Sequence, residues 1–448
     1  MTRTKAEADG LILICLGALV FVLVGITIVH VHGDISMDFA MAHSCARCLV
    51  QHCDPYKQSD LLRMYMDQGG KPPVTEQEID IVQFETLYVY LPTVFLFTLP
   101  FAMLPYSLSY IVWELVIAAG FILASFLMWD LGKEHAPLLS GALLCFYLAN
   151  SASLISSANP GGIALSLCVV SAWCFFRERL VFAGVLCLAV SLAIKPHDTG
   201  LIWLFFIVAG GSLRKRGLQS LLAFVVLSAP VLLWVTHLSP HWFDELRSNL
   251  TTLSMHGAVS DPGPSRVLTR GTLTITSLQS AVSLIRDDPH FYNEVSYSIC
   301  LLVLAVLLFV TFRFRPSGST RWMALTTFSG LTLLPIYHRQ YDAKLLILTI
   351  PACAMIWAKG GWTGKLALFT TALGLLVTAD LPWAFFLVFT SRFRQGGGAS
   401  NRLLIASFAA PVPCALLLVT LFYLWFYARQ SHQTALAREE LESHDLLT

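Results

Sequence analysis

Charge is what this chain has least of. Asp, Glu, Lys and Arg make up 13% of its 448 residues, about half the share found in an ordinary soluble domain. Intrinsic disorder and a charge-laced coiled coil are excluded by that figure. The net charge is only +1, so there is no basic excess with which to neutralise a nucleic-acid backbone. The 11 cysteines lack the even spacing of a disulfide framework, and most lie inside apolar runs. Internal repeats and low-complexity segments are missing too, which argues against an inverted-repeat transporter. The first apolar segment, 11–31, has no clear small-residue cleavage site and is long for a signal-peptide core. It reads as a retained anchor.

What the chain does have is apolar length. It is 56% hydrophobic, with a mean hydropathy of +0.67, more apolar surface than a water-soluble fold of this size can hide. A helix needs roughly 20 apolar residues to cross a bilayer. After 11–31, apolar runs cover 87–104, 106–129, 137–157, 159–176, 180–194, 197–212, 217–238, 295–312, 322–337, 343–358, 366–390 and 403–428, giving thirteen candidate spans. Loops 177–179, 213–216, 313–321 and 359–365 hold ten Lys or Arg and one acid, Glu178, which assigns them to the cytoplasm. Thirteen crossings from a cytoplasmic N-terminus would put Arg177 outside. Parity returns if 137–157 does not cross. Asn150, Ser151, Ser153, Ser156 and Ser157 interrupt it, and two short re-entrant helices fit there, since polar backbone is tolerated where protein or a cavity covers it.

The expected architecture is therefore an all-α polytopic membrane protein. One domain, 1–430, has about 12 transmembrane helices, re-entrant short helices and external amphipathic helices. Its external loops are 32–86 and 239–294, and a cytoplasmic tail covers 431–448. Arg392, Arg394 and Arg402 fall outside, against the charge rule. Four polar features share the external side: the two loops and the short corners at 195–198 and 338–342.

The chemistry-bearing residues lie in those features. Asp34 and Asp38 follow the first span. From Phe39, the residues Phe39, Ala42, Ala46 and Leu49 form a helical stripe, the mark of an amphipathic helix on the membrane face. Asp38 at its start is either an N-cap or a catalytic carboxylate. Asp54, before Pro55, reads as a turn former, and Tyr88 and Tyr90 suit an interface. Pro92 and Pro100 bend the following run. In "AIKPHD", Lys195 either snorkels or offers a cation to a phosphate, with His197 beside it. "YHRQYDAK" crowds His338, Arg339, Tyr341, Asp342 and Lys344 into one corner, as a phosphate site or as a salt-bridged turn. His43, Cys45, Cys48, His52 and Cys53 have metal-like spacing but do not share one helix face. Helix packing, a disulfide or a metal are the readings there, with packing preferred.

These pieces, in this order, resemble glycosyltransferase family 87. The resemblance runs over about residues 10–360 and rests on Asp38-Phe39, Asp54-Pro55-Tyr56, "YVYLPTVF", "NPGG" at 159–162, "AGVLCLAVSLAIKP" at 183–196 and "HRQYD". Leu91 stands where the family often has a proline.

The resemblance implies a C-type glycosyltransferase fold. It also implies inverting transfer of a sugar, a mannose-like hexose favoured, from a polyprenyl-phosphate donor to a lipid-linked or glycan acceptor. A phosphate leaves readily, so one base and charge neutralisation suffice. With the resemblance, Asp38 becomes the preferred general base and Asp34 the alternative. Lys195, His197, His338 and Arg339 are the expected phosphate-binding residues, and Tyr341, Asp342, Tyr90 and Asn159 the supporting ones. No cofactor or metal is called for. The expected location is a bacterial plasma membrane, with the site on the external or periplasmic face. The rival class is a polytopic transporter or lipid-linked-glycan flippase, which would carry its ionisable groups at mid-membrane.

Overall fold

A computed structural model describes residues 2–32, 37–67, 72–74, 76–258, 260–263, 275–382, 384–385 and 407–445. Among them there is no strand, only an isolated bridge between Ile275 and Arg339. Seven helical segments are long and apolar enough to cross a membrane. Asp34, Arg392, Arg394 and Arg402 lie outside the described residues.

Helix α1 (Arg3–His32) is an unbroken apolar rod, about 45 Å long at 1.5 Å per residue. Its glycines mark where α7 (Pro137–Ala149) and α8 (Ser153–Ser157) press against it. A Cβ on Gly10 would stand 2.8 Å from the Pro137 carbonyl oxygen, one on Gly17 2.8 Å from Cys145 Cα, and one on Gly25 2.6 Å from Ile155 Cδ1. The partner numbers rise together, so α7 and α8 run beside α1 in the same direction. They do not turn back, which corrects the re-entrant reading of 137–157. The polar break is real, but other parts of the chain fill it. Lys344 Nζ donates to Asn150 O at 2.9 Å and pairs with Asp380 at 3.0 Å. Asp380 accepts from the Ser153 N–H and hydroxyl, each at 2.7 Å.

Helix α6 (Tyr106–Gly132) runs the other way. Tyr106 stacks near Phe39, which follows α1, while Trp129 reaches the Pro137 carbonyl beside Gly10. The segment between Tyr90 and Pro105 therefore has both ends at the Phe39 end of the bundle. It contains a 3-10 turn (Pro92–Val94) and α5 (Phe95–Ala102). Eight residues of helix reach about 12 Å, well short of a hydrocarbon core. The run 87–104, expected to cross, thus holds only this short helix, with both ends at the Phe39 end of the bundle.

The order continues through α9 (Pro160–Arg177), α10 (Val181–Ile194), α11 (Pro196–Ala209), α12 (Gly211–Leu238), α13 (Trp242–Ser254), α14 (Leu278–Val282), α15 (Pro289–Phe314), α16 (Thr320–Thr332), a 3-10 stretch (Asp342–Leu348), α17 (Thr349–Ala358), α18 (Gly361–Val377) and α19 (Pro411–Asp445). The four basic loops gather at one end. Arg216 pairs with Glu178 at 3.2 Å, and residues 210–213 and 313–317 line one depression. Gln430 donates to Ser319, and Lys359 lies over Phe426. Helix α19 continues unbroken through the expected domain boundary at 430.

The polar stretches meet at the opposite end. There α2 (Met37–Val50), α3 (Gln58–Asp67) and α4 (Glu76–Thr86) pack with α13. Asn249 donates to both Tyr56 O and Tyr88 O at 3.0 Å. Thr276 N–H donates to His338 O at 2.9 Å, strapping the second stretch to the late corner. The expected stripe Phe39, Ala42, Ala46 and Leu49 is buried. Phe39 packs on Tyr106, Tyr110 and Trp113, so the stripe meets protein where lipid was expected. Cys48 and Cys53 form a disulfide, one of the three readings open for that cysteine group and not the preferred one, while Cys45 remains a buried thiol.

Candidate active site

Lys195 is the link between α10 and α11. Pro196 follows it, which disfavours a helical conformation at Lys195, and its backbone leaves the helical region at φ −149° and ψ 79°. The chain therefore breaks here and turns the side chain inward. Lys195 is 5% exposed. Its Nζ bonds to Asp342 Oδ1 and lies 3.3 Å from Asp198 Oδ2. The other Asp342 oxygen accepts the Arg339 backbone N–H at 2.9 Å. Snorkelling is thereby excluded. Two carboxylates thus meet its charge.

Asn159 caps α9, accepting the Gly161 N–H at 2.7 Å. Its amide nitrogen donates to Tyr90 Oη at 3.0 Å and Tyr341 Oη at 2.8 Å. Gly161 explains the compactness. A Cβ there would stand 2.8 Å from Asp342 Oδ1 and 2.9 Å from Lys195 Nζ. Only glycine lets the ion pair sit against the first turn of α9.

Asp38 occupies the first turn of α2 and is nearly buried. Burial pushes its carboxyl above the ordinary value of 3.8; the Arg339 guanidinium, the Asn159 side chain and Lys195 oppose that rise. Asp38, Tyr90, His197, Arg339 and Tyr341 line a cavity of about 300 Å³. Leu250 and Leu253 of α13 form part of its wall. The Arg339 guanidinium lies 5.5 Å from the ring centres of both Phe84 and Tyr337. Its Nε bonds to the Tyr337 hydroxyl, and among the described residues it makes no ion pair.

His338 is fully buried beside His197, their ring centres 5.3 Å apart. Both contact Asp198. The structure thus gathers nine of the ten residues expected from sequence, Asp34 lying outside the described residues. It adds Asp198, Gly161, Phe84 and Tyr337. Asp198 stood in the open, three residues after Lys195 on a helical start. Phe84 and Tyr337 carried no local signal, because an aromatic shelf for a guanidinium is made only when distant segments meet. Lys344 belongs elsewhere, in the seam at Asn150.

Embedded helices around a largely apolar cavity that holds a carboxylate and an arginine define a membrane protein with a site for a ligand that is part apolar and part charged. The model for glycosyltransferase family 87 matches residues 88–337. That is more than half of the chain, and the protein belongs to this family. It is an integral membrane glycosyltransferase. No curated protein and no solved structure matches it. The matched range contains Tyr90, Asn159, Lys195, His197 and Asp198. Asp38, His338, Arg339, Tyr341 and Asp342 lie beyond it.

Proposed function

We propose that this glycosyltransferase moves a sugar, a mannose-like hexose favoured, from a polyprenyl-phosphate donor to a lipid-linked or glycan acceptor, with inversion at the anomeric carbon. The observation that carries the reading is that Asp38 and Arg339 face one cavity from elements some 300 residues apart. A base and a cation in one cavity suit the two ends of a displacement. Asp38 takes the proton from an acceptor hydroxyl. The acceptor oxygen forms its bond to the anomeric carbon as the bond to phosphate oxygen breaks, and polyprenyl phosphate leaves with the electron pair. Arg339 neutralises the charge that develops on the phosphate, with His197 and His338 nearby. Lys195, which also lines the cavity, holds Asp342 and so the Arg339 corner. A single displacement needs one carboxylate in contact with substrate, and it inverts because nucleophile and leaving group lie on opposite faces.

The proposed topology has twelve crossings: α1, α6, α7 with α8, α9, α10, α11, α12, α15, α16, the 3-10 stretch with α17, α18 and α19. Segment 92–104 re-enters. Both termini and the four basic loops are then cytoplasmic, as the charge rule asks. The cavity faces the external or periplasmic side, in keeping with a bacterial plasma membrane. A transporter or flippase is disfavoured because Asp38, Lys195, Arg339 and Asp342 gather at one end of the bundle.

The test is transfer of radiolabelled sugar from a set of polyprenyl-phosphate donors in membranes. Asp38→Asn keeps the side-chain size but cannot accept a proton. Transfer should fall by about 100-fold or more, the usual scale for loss of a general base, at matched protein level. Unchanged transfer by Asp38→Asn, with loss in Asp34→Asn, moves the base to Asp34. Survival of both variants removes the carboxylate mechanism.

A further inference from the structure

We propose that His197, Asp198 and His338 bind one divalent transition-metal ion at the edge of the cavity. The proposal goes beyond sugar transfer and stands without it. Asp198 Oδ1 lies 3.1 Å from His338 Nε2 and 3.5 Å from His197 Nε2. One ligand atom from each residue falls within a 4.8 Å cluster. Nitrogen and oxygen ligands held about 2.0–2.2 Å from a metal at tetrahedral or octahedral angles stand about 2.9–3.5 Å from one another. The two separations from Asp198 are those of neighbouring ligands around one ion, and the third pair, His197 and His338, lies within 4.8 Å.

The protonation pattern points the same way. His338 Nδ1 is 2.9 Å from Ile336 O. A carbonyl only accepts, so Nδ1 carries the hydrogen and a neutral ring leaves Nε2 with a lone pair. A backbone carbonyl fixing the far nitrogen is the usual support of a metal-binding histidine. That lone pair meets a carboxylate oxygen, and neither His338 Nε2 nor Asp198 Oδ1 has a hydrogen bond of acceptable geometry. Both side chains are almost wholly buried, at 0% and 1% exposure. Two electron-rich atoms held this close inside a protein need positive charge between them. A shared proton would lie near the line joining them. A metal lies off that line, at the apex of the angle, which fits a pair that is close but not aligned.

Charge and access complete the case. Three carboxylates, Asp38, Asp198 and Asp342, face two cations, Lys195 and Arg339, so the cluster holds more acids than strong bases before any anionic donor enters. A divalent ion shifts that balance. Lys195 engages Asp198 Oδ2 and leaves Oδ1 on the histidine side. His197, with its side chain 35% exposed, lines the cavity and opens the site toward it. Two imidazoles and one carboxylate select the zinc, manganese and iron class over magnesium or calcium.

The experiment uses the full chain purified in detergent, stripped with chelator, incubated with Zn²⁺ or Mn²⁺, desalted and analysed by mass spectrometry for metal. Wild type should retain about one ion per chain, the number a single three-ligand site holds. His197→Ala and Asp198→Asn should lose it, while His135→Ala at the opposite end should keep it. Asp198 and His338 are buried, so His197→Ala, at a partly exposed position, is the decisive variant where the others fold poorly. Wild type that folds and retains no metal overturns the site and leaves a proton between Asp198 and His338. Equal retention in His197→Ala also overturns it. Metal content is read without activity, so failure of the sugar-transfer reading leaves this result unaffected.

Discussion

The Asn159 amide donates to the Tyr341 hydroxyl at 2.8 Å across 182 residues of sequence. The same nitrogen reaches Tyr90, and the same side chain caps α9. One residue thus ties the early aromatic strap, the start of a membrane helix and the late polar corner together. The ion pair of Lys195 and Asp342 lies against the first turn of that helix.

Gly161→Ala should damage this arrangement. Its Cβ would meet the Lys195 amine and the Asp342 carboxylate inside contact distance, and overpacking of this kind costs about 1–3 kcal/mol. Gly200, in the first turns of α11, has nothing within 4 Å of such a Cβ, so Gly200→Ala should behave as wild type. Thermal unfolding in detergent and transfer rate measure both. Wild-type behaviour of Gly161→Ala would show that the close seating is unnecessary.

Lys195→Ala and Arg339→Ala should fail in different ways. Losing Lys195 strands two buried carboxylates, a loss of about 3–5 kcal/mol, so the variant should accumulate poorly in membranes. Losing Arg339 breaks no ion pair among the described residues. Arg339→Ala should accumulate normally but use donor about ten- to a hundredfold less well, the value of a charge-assisted hydrogen bond. Transfer against donor concentration, at matched protein level, separates them. A normal donor dependence in Arg339→Ala would remove it from the phosphate site.

The pH profile should report Asp38. Burial raises its carboxyl, so it keeps a proton at pH values where an exposed aspartate is ionised. A base must be ionised, so kcat/KM should fall as pH drops through the raised value. Arg339 is the largest influence holding that value down. Arg339→Gln should therefore move the acid limb to higher pH. An unmoved limb would mean that Asp38 is not the titrating base.

Cysteine labelling tests the twelve-crossing path. A cysteine placed at 103 should label from the same side as one in 242–254. One placed at 135 should label from the side of 213–216. Opposite-side labelling of 103 and the 242–254 region would restore a crossing at 92–104 and undo the proposed topology.

Much of the fold was legible because lipid imposes a local rule: every span must be apolar for its own length, and basic loops mark one side. Composition and charge therefore determined an all-helical membrane protein, and the odd count of thirteen runs set a parity problem. They did not say where it lies. The polar break at Asn150 looked like the defect, but Lys344 and Asp380, two hundred residues away, satisfy it. Segment 92–104 looked sound, yet both its ends are held at the level of Phe39 by α2 and α6.

The site divided the same way. Lys195, His338, Arg339 and Asp342 stood out in the sequence because ionisable groups are costly at span ends and so conspicuous there. Their roles were not written locally. Whether a lysine is a free cation depends on the carboxylates that reach it, and Asp342 arrives from 147 residues away. In sequence His197 and Asp198 are only neighbours; folding brings the Nε2 atom of His338 to them across 140 residues. Sequence fixes which groups the chain owns and how deep each can sit; the tertiary structure decides which charges cancel, and so which remain to act on a ligand.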